Sequence, residues 1–328
     1  MQHFLPQSEP AASAMARGRT QTRVLPNGFT VLVEADHSAP VASVQLWVAT
    51  GSIHEGPWLG AGLSHMLEHM LFKGTATRGP NAIAREVQEA GGHINAYTSF
   101  DRTVYWIDVP AEGTGTAIEL LADAALNSTL PADEFAKEQE VIRREFAMGF
   151  DDPNRVSSEL MLSTAFSDSP YRHPVIGHLE IFDRLTRADL EAYYRGRYVP
   201  DNMFLVAVGD FDPARVFGLA EKWFGSARRQ ARAPLFILRE PPQLGRREAH
   251  DEFDTELSRC SLVWHIPPVT HPDTAALDVL ATVLGGGRST PLHLELRERK
   301  NLVHSISSYS YMAGEMGLLG MDFLCEPE

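Results

Sequence analysis

Gly62-Leu63-Ser64-His65-Met66-Leu67-Glu68-His69-Met70-Leu71-Phe72 is the stretch on which the reading of this chain turns. No proline interrupts it, and its apolar residues recur at helical spacing. At 100° per residue, Ser64, His65, Glu68 and His69 fall within about 140° of arc, and Leu, Met and Phe fill the rest. Such a helix must be buried on most sides. A buried carboxylate between two imidazoles is costly unless it is paired or sits beside a metal. His65 and His69 stand one turn apart, the spacing at which two imidazoles converge on one Zn²⁺. Glu68, one residue before the second His, can reach a water at that ion, and the order H-x-x-E-H inverts the better-known H-E-x-x-H arrangement.

A zinc that does chemistry needs a third protein ligand and a fourth position left for water. The segment 131–150, opened by Pro131, reads as a helix with Phe135, Val141, Ile142 and Phe146 on one side. Lys137, Glu140, Arg143 and Arg144 point elsewhere. Glu138 and Glu145, seven residues apart, fall in the middle of the apolar side, where a purely structural helix would carry no carboxylate. Glu145 is therefore the candidate third ligand, with a buried salt bridge as the competing explanation. Glu134 lies near the same stripe, but its place in the first turn is explained by the helix dipole.

Outward from these helices, residues 22–49 read as strands around the turn Pro26-Asn27-Gly28. A second pair of strands is expected at His93–Thr98 and Thr103–Val109, and another strand at Phe204–Val208. Helices are expected at Asn81–Ala90, near 114–127, 154–166 and 186–195, and at Pro213–Phe224. Strands and helices come in clusters rather than regular βα alternation, which indicates an α+β fold. Residues 1–20 read as a disordered leader and 21–230 as the first domain. Residues 231–247, within a basic Pro-bearing stretch that starts at Ser226, read as a linker. The block 248–328 has alternation at Arg259–Trp264, a helix at 273–284, Gly285-Gly286-Gly287, a helix near 290–300 and a strand at Gly317–Leu324. A chain that stops beside such a strand is expected to be truncated.

The 328 residues are 44% hydrophobic and 22% charged, a globular composition. A net charge of −14 disfavours nucleic acid as a partner and favours basic ligands. Two cysteines, Cys260 and Cys325, exclude a disulfide scaffold and a Cys-rich zinc site. No apolar run is long enough for a membrane span, and residues 1–20 lack the apolar core of a secretory signal. The expected location is cytoplasmic, with the mitochondrial matrix as the alternative suggested by Arg17 and Arg19.

On these residues the sequence resembles the insulinase/pitrilysin family of zinc metallopeptidases, especially the shorter branch containing the mitochondrial processing peptidase. The resemblance rests on His65 to Thr75, on Gly51-Ser52 with Glu55, and on Asn95-Ala96-Tyr97-Thr98 followed by Asp101, Thr103 and Tyr105. Glu138 through Glu145, Gly285-Gly286-Gly287 and Leu296-Arg297-Glu298 extend it. It implies two related halves, each a mostly antiparallel sheet packed by helices, with the second half incomplete in this chain. It implies Zn²⁺ held by His65, His69 and Glu145, the last of these 76 positions beyond His69, where the family places its third ligand. Glu68 is then the general base and Glu138 an auxiliary catalytic carboxylate. Asn95, Ala96 and Tyr97 would form an edge that takes the peptide as an added strand, and Arg297 would reach the substrate. The expected activity is a metalloendopeptidase acting on peptides or unfolded segments, with basic ones favoured. The rival is a non-catalytic or partner-dependent subunit, and the resemblance implies a homodimer or a heterodimer with a homologous chain. One departure stands out: His304 occupies the place, seven residues after Arg297, where active relatives often carry Tyr.

Overall fold

The computed structural model describes residues 20–327, so the leader expected over 1–20 lies almost wholly outside the described residues. Strands β1 (Gln21–Val24), β2 (Thr30–Ala35) and β3 (Val41–Val48) come first, then helices α1 (Leu63–Leu71) and α2 (Ala82–Glu89). The hairpin β4 (His93–Thr98) and β5 (Thr103–Pro110) follows. Next come α3 (Thr114–Asn127), α4 (Ala132–Phe150), α5 (Pro153–Ala165), the single turn α6 (Leu179–Phe182) and α7 (Arg187–Arg197). β6 (Met203–Gly209) and α8 (Pro213–Phe224) complete the first half. Its six strands lie in the order β1-β2-β6-β3-β5-β4, antiparallel throughout except for β2 against β6.

Period-two alternation sets which face of this sheet is covered. Ala42, Val44, Leu46 and Val48 of β3 are buried, while Ser43, Gln45 and Trp47 are partly open. Register carries the covered face onto the neighbours: Leu46 is opposite Tyr105, Val44 opposite Ile107, and on β4 Ile94 is opposite Ile107 and Ala96 opposite Tyr105. α3 packs beneath β3 and β5, and α1 lies against β4, α4 and α7. That position explains why Leu63, Met66, Leu67, Met70 and Leu71 are all fully buried. Among the described residues β4 is the sheet's outer strand, hydrogen-bonded to β5 alone.

The second half holds β7 (Ser258–Ile266), α9 (Thr274–Gly285), a π-wound helix (His293–Arg299), β8 (Ser305–Tyr311) and β9 (Gly317–Cys325). Its three strands form an antiparallel sheet in the order β7-β9-β8 among the described residues. The fold is α+β, two halves each with a sheet packed by helices. Gly285-Gly286-Gly287 ends α9 rather than forming a free loop, and Gly285 lies so close to β8 that an added Cβ would sit 2.6 Å from Ser308 N.

The stretch between the sheets has no helix or strand from 226 to 257, yet it is pinned rather than loose. The Glu240 carboxylate, fully shielded from solvent, accepts backbone N–H groups from Ser167, Asp168 and Ser169 at 2.9–3.1 Å and pairs with Arg247 at 2.9 Å. Burial alone would raise this carboxyl; the backbone donors and Arg247 outweigh it and hold it down at about 2. Because the folded value lies below the unfolded one, Glu240 contributes its full stabilisation above about pH 4.5 and loses it as pH falls through about 2. Glu240→Gln is expected to lower Tm at pH 7 and to flatten the acid limb between those values. Melts across pH 2–7 check this, and an unchanged slope would refute it.

A second apolar cluster joins the halves. Ile53, Ala165, Phe166 and Tyr171 from the first pack with Ala313 and Leu318 from the second, flanked by Phe100, Ile237, Val263 and Tyr311. His265 stacks on Phe166 at 5.3 Å and its Nε2 meets the Ala165 carbonyl at 2.9 Å.

Candidate metal centre

α1 enters its position through a tight backbone crossing. Gly62 has φ +70°, and a Cβ there would lie 1.8 Å from the Ile176 carbonyl oxygen, so only glycine fits. The buried Glu55 carboxylate accepts the Ser64 N–H at 2.9 Å and the Gly62 N–H at 3.2 Å, satisfying donors at the helix start. Burial pushes Glu55 up to about 8, with those N–H groups pulling the other way. Ser64, on the polar stripe read from the sequence, is shut away from the site and bonds Tyr193 Oη at 2.6 Å.

His65, His69 and Glu145 converge. One donor atom from each lies within 4.8 Å of the other two. His65 Nε2 is 3.7 Å from Glu145 Oε2, and His69 Nε2 is 3.7 Å from Glu145 Oε1. Those separations are too long for hydrogen bonds. They approach the roughly 3.3–3.5 Å between donors on a tetrahedral ion with bonds of about 2.0–2.2 Å. Two imidazoles and one carboxylate are a donor set that Zn²⁺ accepts, and the residues therefore fit the ion. Burial, with His69 and Arg155 adding to it, pushes the His65 imidazole down to about 3, which keeps the neutral, ligating form. His65 Nδ1 is buried without a hydrogen-bond partner among the described residues.

His69 is better supported. Its Nδ1 is 3.0 Å from Glu138 Oε2, an arrangement in which Nδ1–H donates and Nε2 is free to face the cluster. Lys73 Nζ holds the other Glu138 oxygen at 2.6 Å. Burial would raise Glu138, but the bonds from Lys73 and His69 prevail and keep its carboxyl below the usual range. Glu138 thus touches a prospective ligand rather than the centre itself. Glu68 lies beside the cluster, its Oε2 accepting the Thr98 hydroxyl at 2.6 Å. Burial raises the Glu68 carboxyl and Thr98 opposes that rise.

The remaining expected residues divide. Asn95, Ala96 and Tyr97 lie on the outer strand β4. Alternation puts Ala96 on the face turned to α1, while Asn95 and Tyr97 point to the opposite face, where Tyr97 meets Trp106 and accepts from Arg102 Nε at 3.2 Å. Arg297 meets His293 within its own helix at 3.5 Å rather than the three-donor cluster. His304 pairs at the surface with Glu326 at 2.7 Å. Sequence reasoning missed three supporting groups: Glu55, Lys73 and the direct bond from Thr98. The only available signal for them was their place inside the quoted motifs.

A mixed sheet packed by helices thus brings two imidazoles of α1 and a carboxylate of α4 together as a candidate metal site in an α+β domain. The insulinase family model, peptidase family M16, matches residues 30–178, and the model of the M16 inactive domain matches residues 184–328. An uncharacterized zinc protease of Mycobacterium tuberculosis is 34% identical over 333 residues, covering 99% of this chain and 74% of that protein. The uncharacterized zinc protease YmxG of Bacillus subtilis is 31% identical over 293 residues, 89% of this chain and 70% of its own length. Among solved structures, a protease from Helicobacter pylori superposes with a TM-score of 0.89 at 27% identity, over 95% of this chain and 76% of that one. The chain belongs to the insulinase family, M16, of peptidases. No helix among the described residues is long and apolar enough to cross a membrane.

Proposed function

We propose that this protein is a zinc-dependent endopeptidase that hydrolyses peptide bonds in peptides or unfolded protein segments. The observation that carries the reading is the convergence of His65, His69 and Glu145 at ion-spanning distances with an anchored carboxylate, Glu68, beside them. His65, His69 and Glu145 would hold Zn²⁺, and the ion would supply Lewis acidity to a scissile carbonyl and to a water. Glu68 accepts the proton of that water as its oxygen adds to the carbonyl carbon. It then returns the proton to the departing amine, so that one bond forms, one breaks and the carboxylate is regenerated. Glu138, charged and fixed by Lys73, orients His69. The free rim of β4 receives an extended peptide through main-chain hydrogen bonds, which gives loose sequence preference.

The chain spans about three quarters of the M. tuberculosis relative and the H. pylori protease, but 36% of the longer PqqL of Escherichia coli. A silent partner subunit would need no base beside its metal, and Glu68 is present. The net charge of −14 favours basic peptides. Zinc-loaded protein is expected to cleave Lys/Arg-rich peptide libraries faster than acidic ones and to lose activity to a chelator. Mass spectrometry of the digests decides both points; chelator-resistant cleavage would sink the assignment, and equal turnover would sink the charge preference.

A further inference from the structure

We propose that Thr98 is a positioning residue for Glu68, so that the strand offered to the peptide also aims the base. This inference rests on the endopeptidase reading and adds a residue to it. The Thr98 hydroxyl donates to Glu68 Oε2 at 2.6 Å, across thirty residues of sequence. A carboxylate held by one oxygen keeps the other, Oε1, for the proton of the attacking water. Glutamate has three side-chain torsions and, untethered, would spread over several rotamers. The hydroxyl bond selects one of them.

The donor itself is held rigidly. Alternation along β4 puts Thr98 on the face shared with Ile94 and Ala96, the side on which α1 lies. Thr is β-branched and stiff at χ1. Its cross-strand partner Thr103 bonds the Thr50 carbonyl at 3.0 Å. The turn after Thr98 is fixed by two backbone bonds, Ser52 N–H to the Ser99 carbonyl at 3.2 Å and Ile53 N–H to the Phe100 carbonyl at 3.0 Å. That approach is close enough that a Cβ on Gly51 would lie 2.2 Å from Ser99 O. From the far side Phe100 packs on Tyr171 at 5.2 Å and on Tyr311 of β8 at 6.2 Å. The second half therefore grips the same turn. A peptide added along β4 lies on the strand whose last residue holds the base, so substrate register and base position share one reference.

The test compares Thr98→Val, which keeps the shape and removes the donor, with Thr98→Ser, which restores it. In zinc-loaded protein, Thr98→Val is expected to lower kcat by about 10–100-fold with KM little changed, because a misplaced group near the reacting atoms costs on that order. Metal stoichiometry and Tm should stay at the wild-type values, and Thr98→Ser should recover kcat to within about threefold. Thr98→Ala removes the hydroxyl without adding bulk and replaces Thr98→Val should the latter not fold. Crystal structures of the same proteins supply a readout independent of turnover: the Glu68 carboxylate should leave its position in Thr98→Val and keep it in Thr98→Ser. Unchanged kcat, lost zinc, failed rescue by Ser or an unmoved carboxylate would each overturn the assignment. Wild-type protein that holds zinc and cleaves no peptide would instead overturn the endopeptidase reading, leaving the crystallographic comparison to decide Thr98.

Discussion

Glu68→Gln is expected to leave zinc content at the wild-type level while lowering peptide cleavage by about 10²–10⁴-fold. The two halves of that expectation have separate causes. Glu68 is not one of the three converging donors, so an amide in its place removes nothing from the ion. Gln matches Glu in shape, and its carbonyl oxygen can still accept the Thr98 hydroxyl that now binds Oε2. The group left facing the water is then an NH₂, which cannot take a proton. Metal analysis together with kcat/KM on one peptide separates the outcomes. Residual cleavage within a few-fold of wild type would remove Glu68 from the role of base.

Glu145→Ala should have the opposite signature, with zinc lost first and activity following it. Glu145 closes the triangle with His65 and His69 at 3.7 Å on each side, and no other carboxylate completes a three-donor group there among the described residues. Loss of a partner that merely orients a ligand typically costs 10–100-fold in metal affinity. Deletion of a ligand should exceed this, so affinity is expected to fall by more than about 100-fold. The Glu145 side chain is 36% exposed, so the truncation leaves little cavity and the fold should survive. Competition with a zinc-binding dye measures the affinity, and wild-type stoichiometry at micromolar zinc would discard Glu145 as a ligand.

The parts of this protein that were legible in the sequence are those that repeat locally. Helical spacing placed His65, Glu68 and His69 on one stripe, and the breach of the apolar pattern by Glu138 and Glu145 marked α4. Runs rich in β-branched and aromatic residues marked β3, β5 and β6, and Pro213–Phe224 matches α8 end to end. Contacts between distant segments were not legible, because periodicity reports a face and not what meets it. The Thr98–Glu68 bond depends on β4 lying across α1. The Glu240 clamp joins residues about seventy apart, in a stretch whose proline and charge content suggested a linker. Alternation along β4 likewise turned the Asn95 and Tyr97 side chains away from α1, which a motif read as a string cannot reveal. Arg297 was marked as a substrate contact by the family resemblance, and the partner it meets within the chain, His293 on its own helix, is a contact that motif could not show.

The apolar cluster at the seam bears on whether the first half can stand alone. Phe166, Tyr171 and Ile53 belong to that half in sequence, yet they are sealed by Ala313, Leu318 and Tyr311 from the other. A fragment ending before residue 226 would bare aromatic rings to water and remove Tyr311 from its place against Phe100. The six-stranded sheet and the smaller one are therefore expected to melt together, as one cooperative body rather than as two beads on a string.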